Sequence, residues 1–211
     1  MLLETVGILS PGDMGHTVGT VLGAHGLRVI TCLQGRSQRT RSLAENANIT
    51  DMHTYQRFVR QSDIILSILV PAEATTAAEN VAGACAETET EFVYVDCNAI
   101  APQTVRRIEG IITGARGHFV DASIIGPPPV NEGTTRFYAS GPDLGPFWEL
   151  GQFGIDIRPL GEEIGSASAI KMCYASLTKG LTALSTELLT AAEIMGVSEA
   201  LKAEFELSQS G

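Results

Sequence analysis

Val6-Gly7-Ile8-Leu9-Ser10-Pro11-Gly12-Asp13-Met14-Gly15 opens the chain as a strand that runs into a glycine turn and then into a helix. Gly12 and Gly15 stand where the second and third glycines of G-x-G-x-x-G belong, and Ser10 takes the place of the first. The second glycine lets the main chain approach a diphosphate, and the third lets helix and strand pack closely. The helix start then offers unpaired N–H groups and the positive end of its dipole to phosphate oxygens. Ser10, Pro11, Gly12, Asp13, Met14 and Gly15 are therefore the expected diphosphate cradle of a dinucleotide site. Asp13 is the odd member, a carboxylate beside the expected phosphates that could instead cap the helix. An ordinary strand-to-helix turn is the bland alternative.

Outward from this junction, apolar β-branched runs alternate with helical patterns. Strands are expected over 5–9, 27–33, 64–69, 92–96, 118–122, 136–140 and 155–158, and helices over 16–25, 38–46, 72–86 and 102–112. Such alternation means parallel strands joined by helical crossovers, a Rossmann-type doubly wound and mostly parallel α/β sheet. From residue 163 the pattern changes. Ile170, Tyr174, Leu177, Leu181, Leu184, Leu188, Ala191 and Met195 make one apolar seam on a helix of roughly eight turns. A following helix is expected over 198–208, capped by Ser198. The expected organisation is a dinucleotide-binding domain over 1–162, then over 163–211 a long interdomain helix and the start of an all-α domain. A seam of that length needs a covering surface, so a homodimer through the long helix is expected.

Composition narrows the function classes. The 211 residues are 44% hydrophobic and 18% charged, which argues for a folded globular chain. Fourteen Lys+Arg against 24 Asp+Glu give a net charge of −10, a field that repels nucleic acid and anionic membranes. The apolar run 64–70 is far short of the roughly 20 residues that span a bilayer. The first basic residue is Arg28, so neither a secretory signal nor an Arg-rich transit peptide is expected, and the chain reads as cytoplasmic. Cys32, Cys85, Cys97 and Cys173 are scattered in apolar stretches and read as buried free thiols. His16, His25, His53 and His118 lack partners at ligand spacing, so no metal site is expected.

The cofactor type is read at the end of the second strand. An NAD site would place Asp or Glu there for the ribose hydroxyls, roughly 20 residues past the glycines. The chain instead has Leu33-Gln34-Gly35-Arg36-Ser37-Gln38-Arg39-Thr40-Arg41. Arg36 can pair bidentately with a phosphate, and Ser37 can add a hydrogen bond at a helix start. NADP is the expected cofactor, ahead of NAD. The alternative is that these arginines only solubilise a helix start.

Five ordered segments resemble the β-hydroxyacid dehydrogenases, the family of 3-hydroxyisobutyrate and phosphogluconate dehydrogenases. They are the first glycine loop; Ile68-Leu69-Val70-Pro71; Asp96-Cys97-Asn98-Ala99-Ile100-Ala101-Pro102; Asp121-Ala122-Ser123-Ile124-Ile125-Gly126-Pro127; and Gly165-Ser166-Ala167-Ser168-Ala169-Ile170-Lys171. The resemblance implies that Leu69, Val70 and Pro71 pass the adenosine and ribose. It implies that Asn98 lies near the nicotinamide, that Ser123 lies in the substrate loop and that Lys171 is the catalytic lysine. Two departures stand out: Ile125-Gly126-Pro127 replaces Ser-Gly-Gly, and Tyr174 and Ala175 stand where the lysine helix usually carries Asn. These changes remove polar groups that contact a small carboxylate substrate, and they fit a less characterised branch. Family members also continue past the long helix into a closing helical domain, most of which these 211 residues lack.

Lys171 is the one charged residue between Glu163 and Lys179. Apolar surroundings desolvate an ammonium and push its pKa down, as a general acid/base near neutrality requires. Asn98 and Ser123 are expected to assist, Asn98 by orienting lysine or substrate and Ser123 by contacting substrate. Tyr174 reads as part of the seam and Asp121 as a structural cap. The expected activity is hydride transfer between NADP and a small hydroxy acid or related carbonyl compound. A non-catalytic NADP-binding fragment and an imine-reducing relative are the competing readings.

Overall fold

Strand residues divide by parity between two apolar layers, as a sheet covered on both faces demands. In β1 (Thr5–Leu9), Val6 and Ile8 join one core, and Leu9 joins the other. The computed structural model describes residues 3–130 and 133–209. After β1 come α1 (Asp13–Ala24), β2 (Arg28–Thr31), α2 (Gln38–Asn46), β3 (Thr50–Asp51), α3 (Tyr55–Gln61) and β4 (Ile64–Ser67). A 3-10 turn (Pro71–Glu73) leads into α4 (Ala74–Thr88), β5 (Phe92–Asp96), α5 (Pro102–Gly114), β6 (Gly117–Ile125) and β7 (Arg136–Ser140). Then α6 (Gly145–Glu149), a second 3-10 turn (Leu150–Phe153) and β8 (Asp156–Pro159) precede α7 (Ser166–Ile194) and α8 (Ser198–Gln209).

The sheet order is β3-β2-β1-β4-β5-β6-β7-β8, the doubly wound arrangement expected. The order reverses between β1 and β4, and ligands of such sheets bind at the carboxyl ends of the strands beside that reversal. Val18, Leu22, Ala44 and Phe147 bring α1, α2 and α6 to one face, while Phe58, Val81 and Val105 bring α3, α4 and α5 to the other. One pair departs from the parallel rule: β6 and β7 are antiparallel. Among the described residues no helix crosses between them, and Gly126, at φ +123°, turns the chain where a Cβ would strike the Thr134 carbonyl.

The sequence reading missed β3 and α3. The first has two residues, and the second is a seven-residue helix with only Phe58 and Val59 buried, too short for a periodic apolar pattern. Thr54 starts α3 by accepting from Arg57 N–H.

Contacts group the chain through Met172 as one unit and from Cys173 onward as a second, so the division falls inside the 29-residue α7. Within the second unit, Tyr174, Leu177, Leu181, Leu184, Leu188 and Met195 are exposed. Gly196 (φ +70°) ends the long helix, with Val197 N–H donating to Ala192 O. Two expectations are corrected here. Ser198 is the first residue of α8, and its hydroxyl donates to Glu193 rather than capping the helix. Cys173 is exposed, whereas Cys32, Cys85 and Cys97 are buried. Among the described residues no helix is long and apolar enough to cross a membrane.

Gly7 tests the packing at the centre of the sheet. A Cβ there would overlap the Ser62 hydroxyl and the Phe58 ring. Gly7→Val should destabilise the fold by about 2–3 kcal/mol in urea unfolding; an unchanged midpoint would contradict this packing.

Candidate active site

The β1–α1 turn is built for close approach. Ser10 adopts φ +58°, the left-handed region that glycine enters without a Cβ penalty, so its backbone matches the first-glycine role. Gly12 N–H donates to Ser10 O at 2.6 Å and so closes the turn. Gly12 is the N-cap of α1, with extended backbone and no side-chain cap. A Cβ on Gly12 would meet only Ser10 O, at 3.9 Å, whereas one on Gly15 would press on Ser10 O at 3.2 Å and Ile8 Cγ2 at 3.3 Å. Gly12 therefore faces open space, and Gly15 seats the helix on the strand. Pro11 is buried, and Met14 packs against the core. Asp13 does not cap α1; its carboxylate pairs with Arg39, which holds it below the usual carboxylate range.

Past β2 the three arginines separate. Arg39 is paired with Asp13, and Arg41 donates to the Leu33 carbonyl at 2.6 Å. Arg36 is half-buried and lines a cavity of about 320 Å³ with Gln34, Gly35, Tyr55, Glu73 and Asn80. Its Nε is buried with no hydrogen-bond partner among the described residues. Ser37 is the N-cap of α2, accepting from Thr40 N–H. Asp51, the carboxylate that ends β3, is spent on Leu33 N–H and on His53.

At the ends of β4 and β5 a small polar clamp holds two turns together. Asn98 Oδ1 accepts from Leu69 N–H at 2.6 Å, and Asn98 Nδ2 donates to Ser67 Oγ at 2.9 Å. Asp96 Oδ1 in turn accepts from Asn98 N–H. Both ends of the Asn98 amide are thereby committed, and it fixes the Leu69–Pro71 turn, from which Val70 projects into solvent. Asp96 Oδ2 has no partner among the described residues. Burial pushes the Asp96 carboxyl up to about 7; the bond from Asn98 opposes this, and the charge of Asp121 on the next strand adds to it.

Asp121 is the counterpart on β6, and it is heavily bonded. Its Oδ2 accepts from Gly165 N–H (2.9 Å), Ser168 N–H (3.1 Å) and the Ser140 hydroxyl (3.1 Å), and its Oδ1 from the Ser168 hydroxyl (2.7 Å). Burial still raises its carboxyl, against these donors. Ser123, fully buried, donates to Ala167 O at 2.6 Å, and Ser140 Oγ accepts from Ala167 N–H. The first turn of α7 is thus fastened to β6 and β7 from three side chains. The next turn carries Lys171, half-buried, whose Nζ donates to Ile124 O at 2.6 Å. Sequence reasoning named Lys171, Asn98 and the glycine turn as site residues. It missed the roles of Asp96, Ser140 and Ser168, although an acid ending the apolar run 92–96 was a visible signal.

Residues 5–144 match the family described as the NAD-binding domain of 6-phosphogluconate dehydrogenase. The chain belongs to this family. A solved relative of unknown function, described as structurally similar to 3-hydroxyacid dehydrogenases, is 33% identical, with TM-score 0.82 over 98% of this chain and 77% of its own. An uncharacterised 28.5 kDa protein of Methanothermus fervidus is 28% identical over 93% of this chain and 74% of its own length. Two more distant structures share the fold of this NAD-binding family member, both at TM-score 0.77. Mycobacterium tuberculosis 3-hydroxyisobutyrate dehydrogenase with L-serine is 17% identical, over 97% of this chain and 70% of its own. A Myxococcus stipitatus imine reductase variant with NAD+ is 18% identical, over 99% and 72%.

Asp96 predicts a pH response. Its folded pKa lies above the unfolded value, so its contribution to stability is full below the unfolded pKa and is lost as pH rises through about 7. Denaturant midpoints at about pH 5 and about pH 8 should show Asp96→Asn gaining on the wild type as pH rises. A gap that does not change with pH would contradict the buried, proton-holding carboxyl.

Proposed function

We propose that this chain is an NADP-dependent oxidoreductase that moves hydride between the nicotinamide and a small hydroxy acid or related carbonyl compound, with Lys171 as general acid/base. One observation carries the reading. The Lys171 amine is held on the Ile124 carbonyl near the carboxyl end of β6, and the Gly12 turn follows the carboxyl end of β1 in the same parallel run of strands.

The residues present fit a dinucleotide. Main-chain N–H groups of the first turn of α1 would hold the diphosphate, with Gly12 leaving room for it. Leu69, Val70 and Pro71 would border the adenosine and ribose, and Arg36, with Ser37 beside it, would meet a 2′-phosphate in the cavity past β2. When bound, the nicotinamide supplies the hydride acceptor or donor. The protein's share is proton handling: a neutral Lys171 amine accepts the hydroxyl proton as the carbon is oxidised, and returns it to the carbonyl oxygen in reduction. Ile124 O aims that amine. Asn98 and Ser123 act here as positioning residues, since their side chains are bonded to Leu69, Ser67 and Ala167.

The apolar seam of α7 supports association as a homodimer, because an exposed stripe of Leu177, Leu181, Leu184 and Leu188 is an aggregation liability on a lone chain. The four unpaired cysteines fit a reducing, cytoplasmic setting. The imine-reducing reading shares this fold, but a lysine at the proton-transfer position favours alcohol and carbonyl chemistry.

Lys171→Met should lower NADPH-linked turnover of a hydroxy-acid panel by about 100-fold or more, with NADPH affinity kept within about twofold. An active variant would refute the assignment, and tight NADPH binding by a wild type inactive on the whole panel would favour the non-catalytic reading. Arg36→Ala should weaken NADPH about tenfold and leave NADH nearly unchanged; equal loss of both would contradict a 2′-phosphate contact.

A further inference from the structure

Asp13 and Arg39 join the first turn of α1 to the first turn of α2, Oδ1 to Nη2 at 2.5 Å. These helices start at the carboxyl ends of the neighbouring strands β1 and β2, so the pair spans from the diphosphate cradle to the loop that opens the Arg36 cavity. The carboxylate has no capping bond to α1; its bond is to Arg39. The other charges of this region have separate duties. Arg41 is bound to Leu33 O, Asp51 is bound to Leu33 and His53, and Arg36 and Glu73 line the cavity.

We propose that Asp13 is a specificity-determining residue: by holding Arg39 it withholds that cation from a 2′-phosphate, and so limits how strongly the chain prefers the phosphorylated dinucleotide. The inference rests on the NADP reading above and concerns the size of that preference. Both side chains are about two-thirds exposed, so the pair itself is weak and its arginine exchangeable. A phosphate offers the guanidinium the same two-oxygen geometry with more charge. Asp13 also lies near the expected diphosphate, where it would repel either cofactor alike. Only the part routed through Arg39 separates the two, so the ratio of their affinities isolates it.

The test is a double-mutant cycle on the full chain, with Kd for NADPH and NADH measured by direct titration of wild type, Asp13→Asn, Arg39→Ala and the double variant. Asp13→Asn should raise the NADH-to-NADPH Kd ratio about fivefold, and in the Arg39→Ala background it should leave the ratio within about twofold. A ratio that Asp13→Asn does not move overturns the inference, and so does one it moves equally with and without Arg39. The wild-type ratio is judged separately. Tighter NADH there overturns the NADP reading, whereas tighter NADPH with an unmoved Asp13→Asn ratio overturns only the role of Asp13.

Discussion

The Asp121 carboxylate is the fastening on which the site depends. It lies inside the sheet, on β6, yet it does the work of a helix N-cap for α7, a segment more than 40 residues further along the chain. A buried carboxylate survives only when its oxygens are satisfied, and here two main-chain N–H groups and two hydroxyls supply the bonds. The negative charge also suits the positive end of the helix. Because both partners are buried, the first turn of α7 cannot slide along β6 without leaving a charge unpaired. Lys171 is one turn beyond that fastening, so the position of its amine follows from it.

Asp96 shows the cost of the arrangement. It is the register partner of Asp121 on β5, and two carboxylates in one apolar interior cannot both ionise cheaply. The bonds fall unequally, four donors to Asp121 and one to Asp96, so Asp96 is the one driven to keep its proton. The neutral acid still accepts the Asn98 N–H, and Asn98 still ties the β4 turn to the β5 turn. The ends of β4 and β5, which border the proposed cofactor path, are therefore set from inside the sheet.

How much of this was legible in the sequence depended on distance along the chain. The residues 5–15 carried both the β1–α1 junction and its purpose, since strand, glycines and helix start are contiguous. Ser37 and Gln38 announced α2 locally in the same way. The antiparallel β7 was read as a strand but not in its direction, because pairing is a long-range property. The partners of Asp121 lie at 140, 165 and 168, and no local pattern links them to it. Asp13 shows the same limit: a carboxylate at the first helical position has a local use as a cap, and only the fold brings Arg39, 26 residues away, to take it. Ser123 and Asn98 were read as groups facing a ligand, whereas the folded chain spends them on its own backbone and on Ser67.

The proposed site joins the Gly12 turn after β1 to an amine held near the end of β6, both at the carboxyl ends of parallel strands. Its most direct test is a crystal structure of the chain with NADPH bound. The account predicts that the diphosphate contacts the N–H groups following Gly12, and that nicotinamide C4 lies within roughly 6 Å of Lys171 Nζ, leaving room for one substrate carbon and its oxygen between them. A nicotinamide bound away from Lys171, or a diphosphate held elsewhere than at the β1–α1 turn, would contradict it.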